Sequence, residues 1–401
     1  MPAKRRRLSA ARKAAGHTQE SLAEALSVDR STVGRWEVGE TEPQPWLRPK
    51  LAAALQLSRG ELAALLFEAG DAGESATLSA PATPSPLDGL RRNLNDAMTE
   101  SHVTGNSLDD WEQTVAEHGR SSRDRSPANM LADLSADLAE LHQELNRCRS
   151  LAVRRHLTRT AAQMAGLMCL ALIKLDERSA FRGWARTARI AVNEADDAVT
   201  YSWVRALEAY GHYYSGDFAE AVVVAQHAQR LVSRTPCVGA VLAAALEARA
   251  HSARGDHDSI RTTLERAEVL LSLLDDALVT DSAFGYTEAQ LRFHEGNAFT
   301  HLHDTALAWP AQQRALELCP SGDYMDRTLI LLDRADCLAH DGELDGALLC
   351  MTGALGNLSE RQRQGIITAR ARTTLAALPP AQRALPAVRE FRDLLTEPRE
   401  V

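Results

Sequence analysis

The sequence predicts an all-α protein in three parts: a five-helix N-terminal domain, a flexible linker, and a C-terminal body of repeated helix pairs. Three observations lead there. Long stretches are rich in Ala, Leu, Glu and Arg, which favour helix. Near the N-terminus, Gly, Pro and capping residues punctuate the chain at short intervals. Through the second half, turns recur at nearly constant spacing. A chain of 401 residues has room for two or three domains. The boundaries read as 1–68 for the first domain, 69–88 for the linker, 89–160 for a helical bridge and 161–396 for the repeated body.

Composition narrows the setting. Apolar residues are 45% and charged residues 25%, as in ordinary soluble domains. There is no run of about 18 apolar residues, so no membrane partner is expected. The start "MPAKRRRLSAARKAAG" lacks the apolar core of a secretion signal. Cys148, Cys169, Cys237, Cys319, Cys337 and Cys350 include no CxxC pair and read as free buried thiols in a reducing cytoplasm. Only four of the 45 basic residues are lysines, a bias that hints at a GC-rich coding genome. Residues 1–60 hold 11 Lys/Arg against 6 Asp/Glu, net +5; the remainder holds 34 against 48, net −14. A basic head on an acidic body points to a polyanion partner for the head alone.

In the head, a first helix covers residues 4–15 and ends at Gly16. Thr18 caps a second, "QESLAEAL", whose Leu22, Ala23 and Leu26 share one face. "SVD" turns the chain, and Asp29 caps a third helix, "RSTVGRWEV", which Gly39 and "ETEPQP" terminate. A fourth helix runs from about Trp46 to Leu55, and "SRGE" at 58–61 is a capping box opening a fifth through Phe67.

The series Gln19, Ala23, a turn at 26–28, Val33, Trp36 and Glu37, followed by "LRPKLAAALQLSRGELAALL", resembles the Xre/Cro phage-repressor helix-turn-helix over residues 4–67. Ser27 departs from it, standing where glycine is common in the turn. The resemblance implies a phosphate contact for Gln19. It implies base contacts for Arg30 and Ser31, with Thr32 and Arg35 on or beside the same face. Val33 and Trp36 take core positions, and Glu37 pairs with an arginine of the first helix, here Arg12. Trp36 also has a second reading, as an aromatic that stacks on bases. The physical argument runs alongside. A helix fits the major groove, where each base pair shows a distinct donor and acceptor pattern, and the arginine fork matches guanine O6 and N7. Arg5, Arg6, Arg7 and Lys50 are candidates to neutralise phosphates.

"EAGDAGESATLSAPATPSPLDG" lacks apolar periodicity and reads as a flexible linker. "LRRNLNDAM" and "SLDDWEQTVAEHG" read as short helices. After Pro127, Leu131, Leu134, Leu138, Leu141 and Leu145 recur at three and four, as a core face or a short dimer coiled coil.

In the body, turns are expected at "KLDERSA", "SGDFAEA", "RGDHDSI", "EGNAFTH" and "DGELDGA", centred on 176, 216, 255, 296 and 342 with steps of 40, 39, 41 and 46. Small residues recur at −7, +5 and +12: Ala209, Ala221 and Ala228 about Gly216, and Ala335, Ala347 and Ala354 about Gly342. These offsets resemble the tetratricopeptide repeat, in four or five copies closed by helices near 365–378 and 384–396. The resemblance implies an α-solenoid whose groove binds a partner.

No GxxxxGK[ST], GxSxG, HExxH or strand-borne GxGxxG appears, so an enzyme is not expected and no cofactor is implied. His301 and His303, two apart, make a poor chelate on a helix, so no metal is expected. Trp203, Tyr210, Tyr213 and Tyr214 either line a ligand groove or fill the core. Together these readings resemble the bacterial Xre-type regulators with tetratricopeptide bodies. That likeness implies a cytoplasmic, sequence-specific transcriptional regulator, nucleoid-associated when bound to double-stranded DNA. It would bind a pseudo-palindromic operator as a homodimer, with a small-molecule or peptide effector acting on the body. The alternative is a tetratricopeptide adaptor whose main role is to bind a partner protein.

Overall fold

Seven helices among the described residues of the computed structural model stop in the same way. The chain turns on a residue in the left-handed region. The N–H of that residue reaches back three residues, and the next N–H reaches back five. Gly16, Ser27, Asp176, Gly216, Gly255, His303 and Gly342 all have positive φ. At Gly216, for example, Gly216 N donates to Tyr213 O at 3.0 Å and Asp217 N to His212 O at 2.9 Å. This pair of hydrogen bonds satisfies carbonyls that a helix end otherwise leaves orphaned.

The structure describes residues 6–38, 40–41, 43, 47–55, 57, 62, 66, 105–233, 235–378, 383 and 385–396. No strand occurs among them. The chain divides into two units, Met1–Thr83 and Pro84–Val401. The linker at 69–88, the helix "LRRNLNDAM", Gly39, the capping box at 58–61 and Phe67 lie outside the described residues.

In the first unit, α1 (Arg6–Ala14), α2 (Gln19–Leu26), α3 (Arg30–Val38) and α4 (Arg48–Ala54) surround one small core. Leu8, Leu22, Ala23, Leu26, Val33, Trp36, Leu51 and Leu55 are all buried in it. Of the fifth helix, Leu62 and Leu66 are described, both helical and both in the same core. Ser27 takes φ 54, with Ser27 N to Glu24 O and Val28 N to Ala23 O closing the turn. Serine therefore does here what glycine does at lower conformational cost.

The second unit opens with α5 (Gly105–Ser121) and α6 (Pro127–Arg147). Five hairpins follow: α7 (Leu151–Lys174) with α8 (Arg178–Ala195), α9 (Ala198–Tyr214) with α10 (Phe218–Val232), and α11 (Val238–Ala253) with α12 (His257–Ser272). The other two are α13 (Glu288–His301) with α14 (Thr305–Leu318), and α15 (Tyr324–His340) with α16 (Leu344–Gly356). The closing helices are α17 (Ile366–Ala377) and α18 (Pro386–Thr396). The first helix of each hairpin packs on the first helix of the next, so α7, α9, α11, α13, α15 and α17 form one row.

One turn lies elsewhere than the sequence predicts. "EGNAFTH" is not a turn: Gly296 is buried inside α13, and the chain reverses at Leu302–His303–Asp304, with His303 at φ 58. The centres are therefore 176, 216, 255, 303 and 342, with steps of 40, 39, 48 and 39. The correction restores the register. Position −7 now holds Cys169, Ala209, Ala248, Gly296 and Ala335, and position +12 holds Ala188, Ala228, Ala267, Ala315 and Ala354, all buried. Gly296 is the small residue that lets helices approach: a Cβ on it would lie 2.9 Å from Gln312 Cγ. Glycine is the usual left-handed residue, but His tolerates that region better than most, and His303 fills it here.

The leucine stripe of α6 belongs to the core of its own chain. Leu134 and Leu141 are fully buried, and Leu131, Leu138 and Leu145 pack against the same cluster as Leu167 and Val241. A single helix, α7, runs through the 160/161 border, so bridge and repeats share one core.

Candidate nucleic-acid interface

The α2–turn–α3 corner is held from both ends. Thr18 Oγ1 accepts from Ser21 N at 3.1 Å while Ser21 Oγ accepts from Thr18 N at 2.9 Å, a reciprocal cap on α2. Asp29 Oδ1 accepts from Ser31 N at 2.8 Å and starts α3. Those bonds from Ser31, side chain and backbone, hold the Asp29 carboxyl below its usual range.

Behind the corner lies a clasp of three side chains. Arg12 Nε donates to Glu37 Oε1 at 2.7 Å, and Arg12 Nη1 donates to His17 O at 2.8 Å. Gln19 Nε2 donates to Glu37 Oε2 at 2.6 Å. Arg12 and Glu37 are 8% and 10% exposed, so the pair is shielded from water and ties α1, α2 and α3 together. The Gln19 side chain is turned into this clasp. Outward, Gln19 offers the orphan backbone N–H of the first residue of α2.

Helix α3 divides cleanly. Val33 and Trp36 are buried at 2% and 3%, so Trp36 is core and does not present its ring for stacking on bases. Arg30, Ser31 and Arg35 are exposed on the other side, and Thr32 is half-buried at its edge. Arg35 Nη2 donates to Ser31 Oγ at 3.3 Å, and Arg30 Nε pairs with Glu20 Oε1 at 2.6 Å. Both contacts are solvent-exposed and therefore weak, so a polyanion can take either guanidinium over. Lys50 is exposed on α4. Arg5 and the side chains of Arg6 and Arg7 lie outside the described residues.

Sequence reasoning missed one residue of this face. Gly34 sits between Arg30 and Ser31 on the helical wheel, 40° from Arg30 by the 100° step of an α-helix. A Cβ added there would meet nothing within 4 Å. The face thus has a bare backbone strip at its centre. Its signal in the sequence is a glycine inside a helix at an outward position, where glycine costs about 1 kcal/mol against alanine.

A family model described as helix-turn-helix matches residues 8–62. The match covers the helix-turn-helix unit just described and supports a DNA-binding regulator in general terms. No curated protein and no solved structure matches the chain.

In the second unit, Tyr214 packs edge-on against Tyr210 and Tyr213, with ring centroids 5.0 and 5.4 Å apart, and Trp203 stands apart from the three. Trp203 is 4% exposed, donates from Nε1 to Ala283 O at 2.9 Å and packs on Phe284, beside an apolar hollow of about 160 Å³. Tyr213 is buried, with its hydroxyl on Asn297 Oδ1 at 2.8 Å and His301 Nε2 at 2.9 Å. Tyr214 receives Arg249 Nη2 at 3.4 Å. Tyr210 alone of the four lines the polar cavity that also holds Tyr286 and His294. Tyr210, Tyr214 and Trp203 line three different hollows, so the four do not share one groove. His303 stacks on His340 with ring centroids 4.3 Å apart, while His301 sits on Tyr213, so the two histidines have separate partners. No group of three or more His, Cys, Asp and Glu among the described residues could hold a metal ion. No helix among them is long and apolar enough to cross a membrane.

Proposed function

We propose that the helix-turn-helix domain reads a specific DNA sequence through the outward face of α3, and that the chain is a transcriptional regulator and not an enzyme. Arg30 and Arg35 contact guanine edges, with Ser31 and Thr32 short enough to let the helix sit close. Lys50, the N–H of Gln19 and the basic residues Arg5, Arg6 and Arg7 take phosphates and set register without reading sequence. The observation that carries this reading is the division of α3: a face locked by Val33, Trp36 and the Glu37 clasp, opposite a face with two arginines whose contacts are readily exchanged.

The body is read as tetratricopeptide-like, supported by five matching turns and the −7 and +12 small residues. In this reading it senses a ligand or peptide, pairs two copies on a pseudo-palindromic operator, or does both. Half-sites would then lie about 10 bp apart or a multiple of that. An effector acts only through its preference for one arrangement of the heads.

The test is selection of bound duplexes from random DNA, followed by titration of Arg35→Ala and Lys50→Ala. Arg35→Ala should cost about 1–3 kcal/mol on the selected site and relax one base position, whereas Lys50→Ala should weaken all sequences alike and lower the salt slope. No enrichment from the random pool, or equal losses for both variants on selected and random DNA, removes the assignment.

A further inference from the structure

Across the row of first helices the chain lays its own corner at 119–125 and its own loop at 276–286. Ala283 N donates to Gly119 O at 2.9 Å, Lys174 Nζ to Ser122 O at 2.7 Å, and Trp203 Nε1 to Ala283 O at 2.9 Å. Arg123 Nη1 reaches both Asp323 Oδ2 at 2.6 Å and Asp326 Oδ2 at 3.0 Å. Beneath these segments remains a cavity of about 70 Å³. At roughly 30 Å³ per liquid water, that is about two water volumes, too small for a peptide.

The cavity wall holds unspent donors at Tyr286, Gln290 and His294, and Arg249 lies behind His294, outside the wall. Arg249 is 2% exposed and has only N–H groups to offer; it donates to Asn297 Oδ1 at 2.7 Å and contacts His294 Nδ1 at 3.1 Å. That nitrogen must therefore accept, which places the His294 proton on Nε2 and leaves the ring neutral. Burial, then the Arg249 charge, hold the His294 pKa well below its usual value, in keeping with this tautomer. Gln290 uses Oε1 on Thr287 N at 2.9 Å, leaving its NH₂ unspent. The Tyr286 hydroxyl is fully buried with no hydrogen-bond partner among the described residues. A buried hydroxyl in that state is costly unless something unseen satisfies it.

Charge completes the description. Arg123 and Lys174 are balanced by Asp323 and Asp326. Arg249 is not: it lies over the Tyr213 ring at 4.2 Å and the Phe293 ring at 5.2 Å, and no carboxylate among the described residues is within ion-pair distance. The charges that act on His294 are those of Arg249 and then Arg123, both positive. We propose that this cavity binds a short-chain monocarboxylate of two or three carbons, its oxygens taking Tyr286 Oη–H, Gln290 Nε2–H and His294 Nε2–H. With Asp323 and Asp326 also in the wall, a monoanion is favoured over a phosphate dianion. This names the ligand class for the effector role proposed above, and its regulatory meaning rests on that role; the binding itself does not.

The test uses the full chain without DNA. Its thermal midpoint is followed against sodium acetate and sodium propionate at ionic strength held constant with sodium chloride, with propionamide, propylammonium and inorganic phosphate as parallel arms. A saturable rise with a carboxylate alone is expected. Tyr286→Phe should leave the ligand-free midpoint unchanged or higher, since it removes an unsatisfied oxygen, and should weaken carboxylate binding at least fivefold. A rise of equal size with propionamide, a rise with phosphate only, or no rise at all overturns the proposal, as does Tyr286→Phe binding like the parent. In each of those outcomes selective DNA binding by the same protein leaves the operator reading standing. Carboxylate binding by a protein that selects no DNA separates the two the other way.

Discussion

Replacing Gly34 by alanine should move stability and DNA affinity in opposite directions. In the free protein the added Cβ meets nothing within 4 Å, and the position has no positive φ, so the methyl group enters open space on a regular helix. Glycine to alanine at an exposed helix interior gains about 1 kcal/mol. Opening of α3 should then be about fivefold rarer. On DNA the same methyl stands at the centre of the face, among Arg30, Ser31 and Arg35, and lifts the helix from the base edges. Loss of one bidentate base contact is worth about 1–3 kcal/mol, or about 5- to 150-fold in affinity. The assay is paired: native-state hydrogen exchange of peptides covering residues 19–38 in the full chain, and titration of a selected duplex. Slower exchange with unchanged affinity would show that this face does not meet DNA. Faster exchange would show that the space around Gly34 is not open.

Two further outcomes follow from the same residues and from the body. Glu37→Ala leaves Arg12 buried with only the His17 carbonyl, a loss of about 3–5 kcal/mol expected for one partner of a shielded pair. Glu37→Gln should cost less, and both are read from the unfolding midpoint in urea. His301 is held to about 4, chiefly by burial and then by the Arg370 charge, against 6.5 for the free side chain. Its folded pKa is depressed, so the unfolded chain takes up a proton first as pH falls from about 6.5 towards 4, and stability is lost across that window. Between pH 7 and 5 the loss amounts to about 2 kcal/mol for this group. Asp326 acts in the opposite sense, because burial, then Asp323, raise its carboxyl from 3.8 to about 6 and the folded chain takes up that proton. His301→Gln should therefore be about 2 kcal/mol less sensitive to acidification than the parent. Identical acid sensitivity in urea titrations at pH 7 and 5 would remove His301 from the balance.

How much was legible depends on the range of the interactions involved. Thr18, Asp29 and the Leu22–Ala23–Leu26 face act within a turn or two, so caps and inward residues of the head could be read along the chain. The Arg12–Glu37 pair was legible only through family resemblance, because 25 residues separate its members. Gln19 joining that pair was not legible at all: whether an amide faces outward or inward is decided by the space behind it. Gly34 was overlooked because a helix-interior glycine looks like a defect until the helix has an outside. Gly296 misled for a related reason, since glycine serves both turns and close packing, and only the neighbouring Gln312 tells which.

What the sequence determined by itself is therefore local: helix, its ends, the small-residue register, and an excess of positive charge in the head. Tertiary structure alone decided which helix face is outside, where the fourth hairpin turns, and that Arg249, His294 and Tyr286 come together. Those three residues lie on different elements, and Arg249 is 45 positions from the His294 it contacts. Helix periodicity repeats every few residues and survives in any window of the chain; a shared cavity exists only once the whole row of hairpins has closed around it.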